Sequence, residues 1–280
     1  MFEVLLTVRS DFEYSAWIFT LGTELTQGRV INTNGSYLSR RLTLLGVKVI
    51  GIVTLMDDVE LISRYLMLVL RESPKFIITT GGLGPTYDDR TLEAVAKALN
   101  RKLVLNGEAL EMVKRKYEER KMPLTPERIK MACLPEGGVP IPNPVGTAPG
   151  CWIEYGEVII VSLPGVPIEM EAMWEKWVEP RLRKILPHVY IAEAIAKIVG
   201  IPESSLAPYL NKIAQEYERV YVKSHPMGEE LGRPIINIYI MASEADSSAS
   251  LRLAQEVLNK IIAYTQNLGG FVDVLELKVS

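Results

Sequence analysis

The segment that most constrains this chain is Phe76–Thr91. An apolar strand, FIITT (Phe76–Thr80), runs straight into Gly81-Gly82-Leu83-Gly84. Asp88-Asp89-Arg90-Thr91 then open a helix carrying Leu92, Val95, Ala96 and Leu99. A strand of this kind is covered on both faces. Glycines directly after it let backbone N–H groups turn toward one point and approach a phosphate closely. A helix N-terminus adds a favourable dipole for the same anion. The unit therefore belongs to a parallel α/β sheet, in which ligands bind beyond the carboxyl ends of the strands. It is not a Walker loop, because no Gly-Lys-Ser/Thr follows, and Tyr87 breaks the dinucleotide pattern G-x-G-x-x-G. A plain tight turn is the simpler reading, but three glycines among hydroxyl side chains exceed what a turn needs.

The same alternation fills the first two thirds of the chain. Ala16–Leu21 is a short apolar strand ending at Gly22, and a helix with Leu38, Leu42 and Leu45 on one stripe follows. Val47–Thr54 is the next strand. Asp57 and Asp58 open a helix with Leu61, Ile62, Leu66, Val69 and Leu70, which Pro74 stops. A charged helix spans Glu108–Lys121, and Thr125 is an N-cap before Pro126. Val158–Leu163 is a further buried strand, followed by Pro164-Gly165 and a helix through Trp174 and Trp177. Repeated strand–helix units predict an α/β fold: three layers around a mainly parallel sheet. The pattern changes near Pro187. Strand (192–199), helix (202–217), strands (219–223 and 234–242), helix (247–266) and strand (271–277) predict a second, smaller α+β domain. The expected domains are 1–186 and 187–280. The apolar strand Ile235–Ala242 needs a cover, and a homodimer is expected to provide it.

Charge and rare residues exclude several classes. There are 31 Lys+Arg against 34 Asp+Glu, a net charge of −3. From 186 to 280 the balance is 8 against 11, so neither part has a basic excess for nucleic acid or an anionic membrane. Two cysteines (Cys133, Cys151) and two histidines (His188, His225) leave no disulfide framework, structural zinc site or Ser/His hydrolase. The run Phe2–Val8 contains Glu3 and lacks a basic flank, so it does not read as a signal peptide. No stretch reaches the ~18 apolar residues of a spanning helix. A cytoplasmic location is expected, and the glycosylation pattern Asn34-Gly35-Ser36 then carries no weight.

The candidate binding residues lie in five loops. They are Gly22, Thr23 and Glu24 with Asn32 and Asn34; Asp57 with Asp58; Thr80, Gly81, Gly82, Gly84, Pro85 and Thr86, continuing to Asp88, Asp89 and Thr91; Gly146 and Thr147; and Pro164 and Gly165 with Glu169. Acidic residues at helix starts serve as caps. Two acidic pairs on neighbouring loops of one sheet can also hold a hard divalent cation beside a diphosphate. Asp57 with Asp58 and Asp88 with Asp89 are those pairs, and Glu24 at the mouth of the first strand can join them as a metal ligand. Asn32 and Asn34 are either turn formers or hydrogen-bonding partners of a ribose or phosphate.

These loops carry a resemblance. TGGLGPTYDDRT (Thr80–Thr91) resembles the signature of the CinA family, within the wider MoaB/Mog molybdopterin-binding superfamily. GTELTQGRVINTN (Gly22–Asn34), LPEGGVPIPNPVGTAPG (Leu134–Gly150) and LPGVPIEM (Leu163–Met170) resemble its other motifs. The segment from Glu193 to Glu276, opening on KIVGIPESSL (Lys197–Leu206), is similar to the family's small KH-like domain. It lacks a G-x-x-G loop between its helices, which argues against RNA. The first dozen residues precede the family's usual start, and Tyr87 stands where the family often has a smaller or charged residue. The chain ends where longer CinA proteins continue into a nicotinamide mononucleotide deamidase domain, so that activity is not expected.

The resemblance implies a MoaB/Mog-like first domain and metal-dependent hydrolysis of ADP-ribose or a similar small-molecule nucleotide. The metal would be magnesium, manganese or cobalt. The catalytic positions of Mog-type proteins match Asp57 and Asp89. The alternative it implies is binding, or adenylylation, of molybdopterin. Leu83 follows the glycine pair where Mog proteins usually have Thr, which favours the CinA branch.

Overall fold

A computed structural model describes residues 14–279. The first dozen residues and the Phe2–Val8 run lie outside the described residues. The chain forms two compact units divided between Leu186 and Pro187, with the short stretch Leu44–Gly46 grouped with the second.

The first unit runs β1 (Ser15–Leu21), α1 (Thr23–Thr26), α2 (Thr33–Leu44), β2 (Lys48–Leu55), α3 (Val59–Arg71), β3 (Phe76–Thr80) and α4 (Thr91–Ala98). It continues through β4 (Leu103–Leu105), α5 (Gly107–Glu119), α6 (Pro126–Lys130), β5 (Cys133–Pro135), β6 (Val139–Ile141), β7 (Gly150–Tyr155) and β8 (Val158–Leu163). It ends with α7 (Pro167–Met173), a π-helical turn (Trp174–Val178) and α8 (Glu179–Ile185). The sheet order is β2-β1-β3-β8-β7-β6. Strands β2, β1, β3 and β8 are parallel, whereas β7 and β6 run antiparallel and extend the sheet on one side. Strands β4 and β5 form a separate antiparallel pair.

Ile18 and Phe19 of β1, Phe76, Ile77 and Ile78 of β3, and Val161 and Leu163 of β8 are fully buried. Each such side chain contributes about 1.5–3 kcal/mol by leaving water. The ends of these three strands therefore form a firm platform. The chain winds from β1 outward to β2, then crosses back to β3 on the other side of β1. The loops after β1 and β3 diverge at this switch point, where open α/β sheets leave a crevice.

Helix starts sort the acidic pairs. Asp58 caps α3, its Oδ1 accepting the Leu61 N–H at 2.7 Å. Helix α4 instead starts at Thr91 with Arg90 in the cap position, so Asp88 and Asp89 do not open it as the sequence predicts. Thr125 occupies the cap position of α6 ahead of Pro126, but its side chain makes no capping bond. At the far end of the unit, buried Glu179 receives Arg41, Arg183 and the Trp174 indole N–H. Burial opposes its charge, but the hydrogen bonds from Arg183 and Arg41 outweigh that and hold its carboxyl below the usual range.

The second unit runs β9 (Tyr190–Val199), α9 (Glu203–Glu216), β10 (Val220–Glu230), β11 (Arg233–Glu244), α10 (Ser247–Asn267) and β12 (Phe271–Val279). Its sheet order is β10-β11-β9-β12, antiparallel throughout. That is the β-α-β-β-α-β order expected from the sequence, arranged as in ferredoxin-like units. Ala192, Ala194, Ala196 and Ile198 of β9 and Ile236, Ile238, Ile240 and Ala242 of β11 are buried in one core with α9 and α10; the period of two is clean along β11, while Ile191 and Glu193 on the other face of β9 are buried as well. Strand β11 is internal to the sheet, and its Ile236, Ile238, Ile240 and Ala242 are covered by the unit's own helices, while Tyr239 on the other face stays 37% exposed.

Candidate functional site

The loops beyond β1, β2, β3 and β8, with the loop between β6 and β7, enclose a cavity of about 490 Å³. Gly22 and Glu24 reach it from β1, Asp57 from β2, and Gly81 through Thr86 with Asp88 and Asp89 from β3. Thr147 enters from the β6–β7 loop, and Pro164, Gly165 and Glu169 come from β8 and the start of α7. Five loops distant in sequence thus converge as the sequence reading expects.

Glycine is required where the loops touch. Gly81 has φ +109°, and a Cβ there would lie 2.0 Å from the Leu21 carbonyl oxygen at the end of β1. Its own N–H donates to the Leu163 carbonyl at 3.0 Å, which ties β3 to β8. This N–H is therefore not available to a phosphate, contrary to the expectation for Gly81. Among the described residues, no hydrogen bond takes the N–H groups of Gly82 and Gly84, both on the cavity wall.

Several predicted ligand contacts are braces instead. The Asn34 amide donates to Thr80 Oγ1 and to the Gly165 carbonyl, both at 2.9 Å, and Thr80 Oγ1 donates to the Pro164 carbonyl. Asn32 accepts the Gly35 N–H and donates to Thr20 Oγ1. Thr91 donates its hydroxyl to the Gly81 carbonyl. These four side chains hold loop to loop and do not line the cavity. Thr23 also stands behind the wall, donating its N–H and hydroxyl to Asp57 Oδ2 at 2.8 and 3.0 Å. Asn34 Oδ1 is buried without a hydrogen-bond partner among the described residues.

The two predicted catalytic carboxylates are held alike. One oxygen of Asp57 is occupied by Thr23, and Asp89 Oδ2 accepts the Thr86 N–H at 2.9 Å and its hydroxyl. Among the described residues, Oδ1 of each makes no hydrogen bond. Gly84 leaves room for the Asp89 carboxylate against the loop, since a Cβ there would lie 2.6 Å from Oδ2. Asp88 shares the Thr86 hydroxyl, and that hydrogen bond holds its carboxyl below the usual range.

The opposite wall is built around Asn143, which the sequence reading placed in a candidate loop, 143–150, without giving it a role. This buried side chain accepts the Val145 and Gly146 N–H groups and donates to the Ala148 carbonyl and to Glu169 Oε2, the last at 2.8 Å. All its bonding capacity shapes the loop and aims Glu169. Gly146 does not line the cavity; a Cβ there would fall 2.0 Å from the Glu169 carboxylate. The available signal was Asn-Pro in NPVGTAPG, a turn initiator.

Among the described residues, no three His, Cys, Asp or Glu side chains cluster tightly enough to hold a metal ion. Glu24, Asp57, Asp88 and Asp89 line one cavity but do not form a closed protein cage. This donor set fits a magnesium-type ion, which takes one or two carboxylates and completes its shell with water and substrate phosphates. The cysteines take no part: Cys151 is buried, which pushes its thiol up to about 12, and Cys133 is likewise raised by burial. Among the described residues, no helix is long and apolar enough to cross a membrane.

Known proteins match this architecture. Residues 17–184 match the family described as "Probable molybdopterin binding domain". A protein of Aeropyrum pernix is 47% identical over 257 residues, spanning 92% of this chain and 96% of the relative. A Pyrobaculum arsenaticum protein is 44% identical over 255 residues, spanning 91% and 96%. Among solved structures, the protein CinA with unknown function from Thermoplasma acidophilum is 40% identical, with a TM-score of 0.56, covering 60% of this chain and 98% of its own. The chain belongs to the molybdopterin-binding-domain family, and within it to the CinA proteins.

Proposed function

We propose that the first unit is a metal-dependent nucleotide pyrophosphatase that cleaves the diphosphate of ADP-ribose or a similar nucleoside diphosphate derivative. The observation that carries this reading is one cavity in which the free N–H groups of Gly82 and Gly84 face the same space as Asp57, Asp88 and Asp89. Glycine N–H groups receive phosphate oxygens and stabilise charge in the transition state. Asp57 and Asp89, each fixed through one oxygen by a threonine, keep Oδ1 for the ion. Glu24 and Asp88 stand beside them. A divalent ion supplies charge neutralisation on the diphosphate and acidifies water. Glu169, aimed by Asn143, is the hydrogen-bond acceptor for sugar hydroxyls on the opposite wall. A second reading, binding or adenylylation of molybdopterin, is favoured by the family description alone.

The test is product analysis with magnesium, manganese or cobalt. ADP-ribose is expected to yield AMP and ribose 5-phosphate without an acceptor, and a chelator should stop it. Asp57→Asn and Asp89→Asn should each keep the fold and lose about 100-fold or more in turnover. No AMP from ADP-ribose with any of the ions, together with transfer of AMP from ATP to molybdopterin, would establish the second reading instead.

A further inference from the structure

A second cleft, of about 640 Å³, shares no lining residue with the acidic cavity. One side is the hairpin of β6 and β7. Val139 is paired with Trp152 across it, and Trp152 and Glu154, two residues apart on β7, share a face. The other side is α8 with the π-helical turn before it. Trp177, Arg181, Lys184 and Ile185 fall on one helical stripe that lines the cleft. The two indoles meet edge to face at 5.7 Å. Val139 is 47% exposed and Ile185 38%, which leaves an open apolar wall beside the buried Trp152. π-Helical turns are rare and frequently mark functional sites.

Three cations, Arg101, Arg181 and Lys184, meet one carboxylate here, Glu154, which accepts the Trp152 indole N–H at 3.4 Å. Among the described residues, none of the three cations pairs with a carboxylate. Arg101 donates to the Glu136 and Glu154 carbonyls, which do not neutralise its charge. The Arg181 guanidinium lies 3.3 Å over the Trp177 ring, with one long hydrogen bond of 3.4 Å to that residue's carbonyl. Stacking fixes the plane of a guanidinium and leaves its N–H edge for an anion. The cleft thus has an excess of positive charge in a chain whose net charge is −3.

We propose that this cleft is a second ligand site, for a small organic anion with a planar ring, of the size of a nucleoside monophosphate. Arg181 and Lys184 receive the anionic group, Arg181 as a planar fork. The ring covers Val139, Ile185 and the indole edges. The volume is that of a small-molecule site, roughly 300–1,000 Å³, and a concave cleft between a hairpin and one helix favours such a ligand over an extended polymer. The site is separate from the acidic cavity. Glu154 pairs with Ile159, and the strand end that carries the cavity loop is at Leu163, about 13 Å further along β8.

The experiment titrates the full chain with AMP, adenosine, ribose 5-phosphate and inorganic phosphate, by calorimetry and by tryptophan fluorescence. A chelator is present, so that no divalent ion bridges an anion to the acidic cavity. AMP should bind with a saturable fluorescence change, because Trp152 and Trp177 line the cleft. The other three should bind at least about tenfold more weakly, since adenosine lacks the anion and the two phosphates lack the ring. Arg181→Gln, at an exposed position, should cost about tenfold in AMP affinity, and Val139→Asp about as much by spoiling the apolar wall. Asp57→Asn, in the acidic cavity, should leave this binding unchanged. Inorganic phosphate binding as tightly as AMP would reduce the cleft to a basic patch and overturn the proposal. Three other results overturn it too: no AMP binding, AMP binding that Asp57→Asn weakens and Arg181→Gln spares, and a fluorescence response to a single-stranded oligonucleotide with none to AMP. The last would assign the surface to nucleic acid.

Discussion

The two units solve the same problem, covering a sheet with helices, by different means. In the second, small and β-branched side chains alternate along β9 and β11 and meet α9 and α10 in one apolar core. The first unit has such a core too, but it also buries Thr20, Asn34, Thr80, Thr91 and Asn143 at the ends of its strands. These side chains bond across loops far apart in sequence. The backbone is also crowded there: Gly81 approaches β1, and Gly165 approaches Gly81. In the second unit, the left-handed glycines Gly200 and Gly269 face open space. At Gly81 and Gly165 glycine lets backbone approach backbone, whereas Gly200 and Gly269 only end an element and Gly270 makes room for the side chains of Ile201 and Thr265. A region shaped for a ligand differs from one shaped for a core chiefly in this use of polar bracing and close backbone contact.

The largest expected effect breaks that contrast directly. Gly81→Ala forces a Cβ into a left-handed conformation, which costs about 1–2 kcal/mol, and into overlap with the Leu21 carbonyl, which costs about 1–3 kcal/mol more. Gly269→Ala bears only the first cost. Urea unfolding should therefore show Gly81→Ala as the more destabilised of the two by at least about 1 kcal/mol. Equal midpoints for the two variants would show that the close approach at Gly81 carries no weight.

Much of this contrast was legible in the chain and part was not. Strands β3 and β8 were read at their observed bounds, because a continuous apolar run between proline and glycine leaves little freedom. The convergence of four of the five loops followed from parallel topology, whereas the β6–β7 loop joins antiparallel strands. Strands β4, β5, β6 and β7 were missed; the first three have three residues and give no period, two of them contain proline, and β7 follows a loop rich in glycine and proline that hid its start. The division between wall and brace was also hidden. Asn34 and Glu169 look equally suited to a ligand in sequence. Which of them meets the cavity depends on contacts such as Asn34 to Gly165, 131 residues apart. By residue type Asp57 and Asp58 were likewise alike; the resemblance singled out Asp57, and the start of α3 assigns the cap to Asp58.

A somewhat smaller effect tests bracing away from the cavity. Glu179 is 6% exposed and holds α2 to the last helices of the first unit through Arg41, Arg183 and Trp174. Glu179→Ala leaves two arginines without their carboxylate and should cost about 3 kcal/mol. The pH dependence has a definite sign. The folded carboxyl titrates below its unfolded value, so its stabilisation is present above the unfolded value and is lost as pH falls through the folded one. The wild-type protein should lose more stability than Glu179→Ala across that acid range. Parallel stability–pH curves for the two would contradict the assignment.

The smallest effect sharpens the comparison by removing what the units share. Asp58 caps α3 in the first unit, accepting the Leu61 N–H at 2.7 Å, and Asp246 caps α10 in the second, accepting the Ala249 N–H at 2.8 Å. Both residues are in extended backbone and both bond the third residue onward, so the local chemistry is the same. Asp58→Ala and Asp246→Ala should each cost about 1 kcal/mol, wherever the helix sits. Asp58 adjoins Asp57 but does not line the cavity, so its replacement should leave the metal dependence of ADP-ribose turnover unchanged. Denaturant titration gives the two costs, and the metal concentration for half-maximal turnover gives the second readout. A shift of that concentration on Asp58→Ala would show that the acidic pair works as a unit, and that the separation of cap from ligand at this loop is wrong.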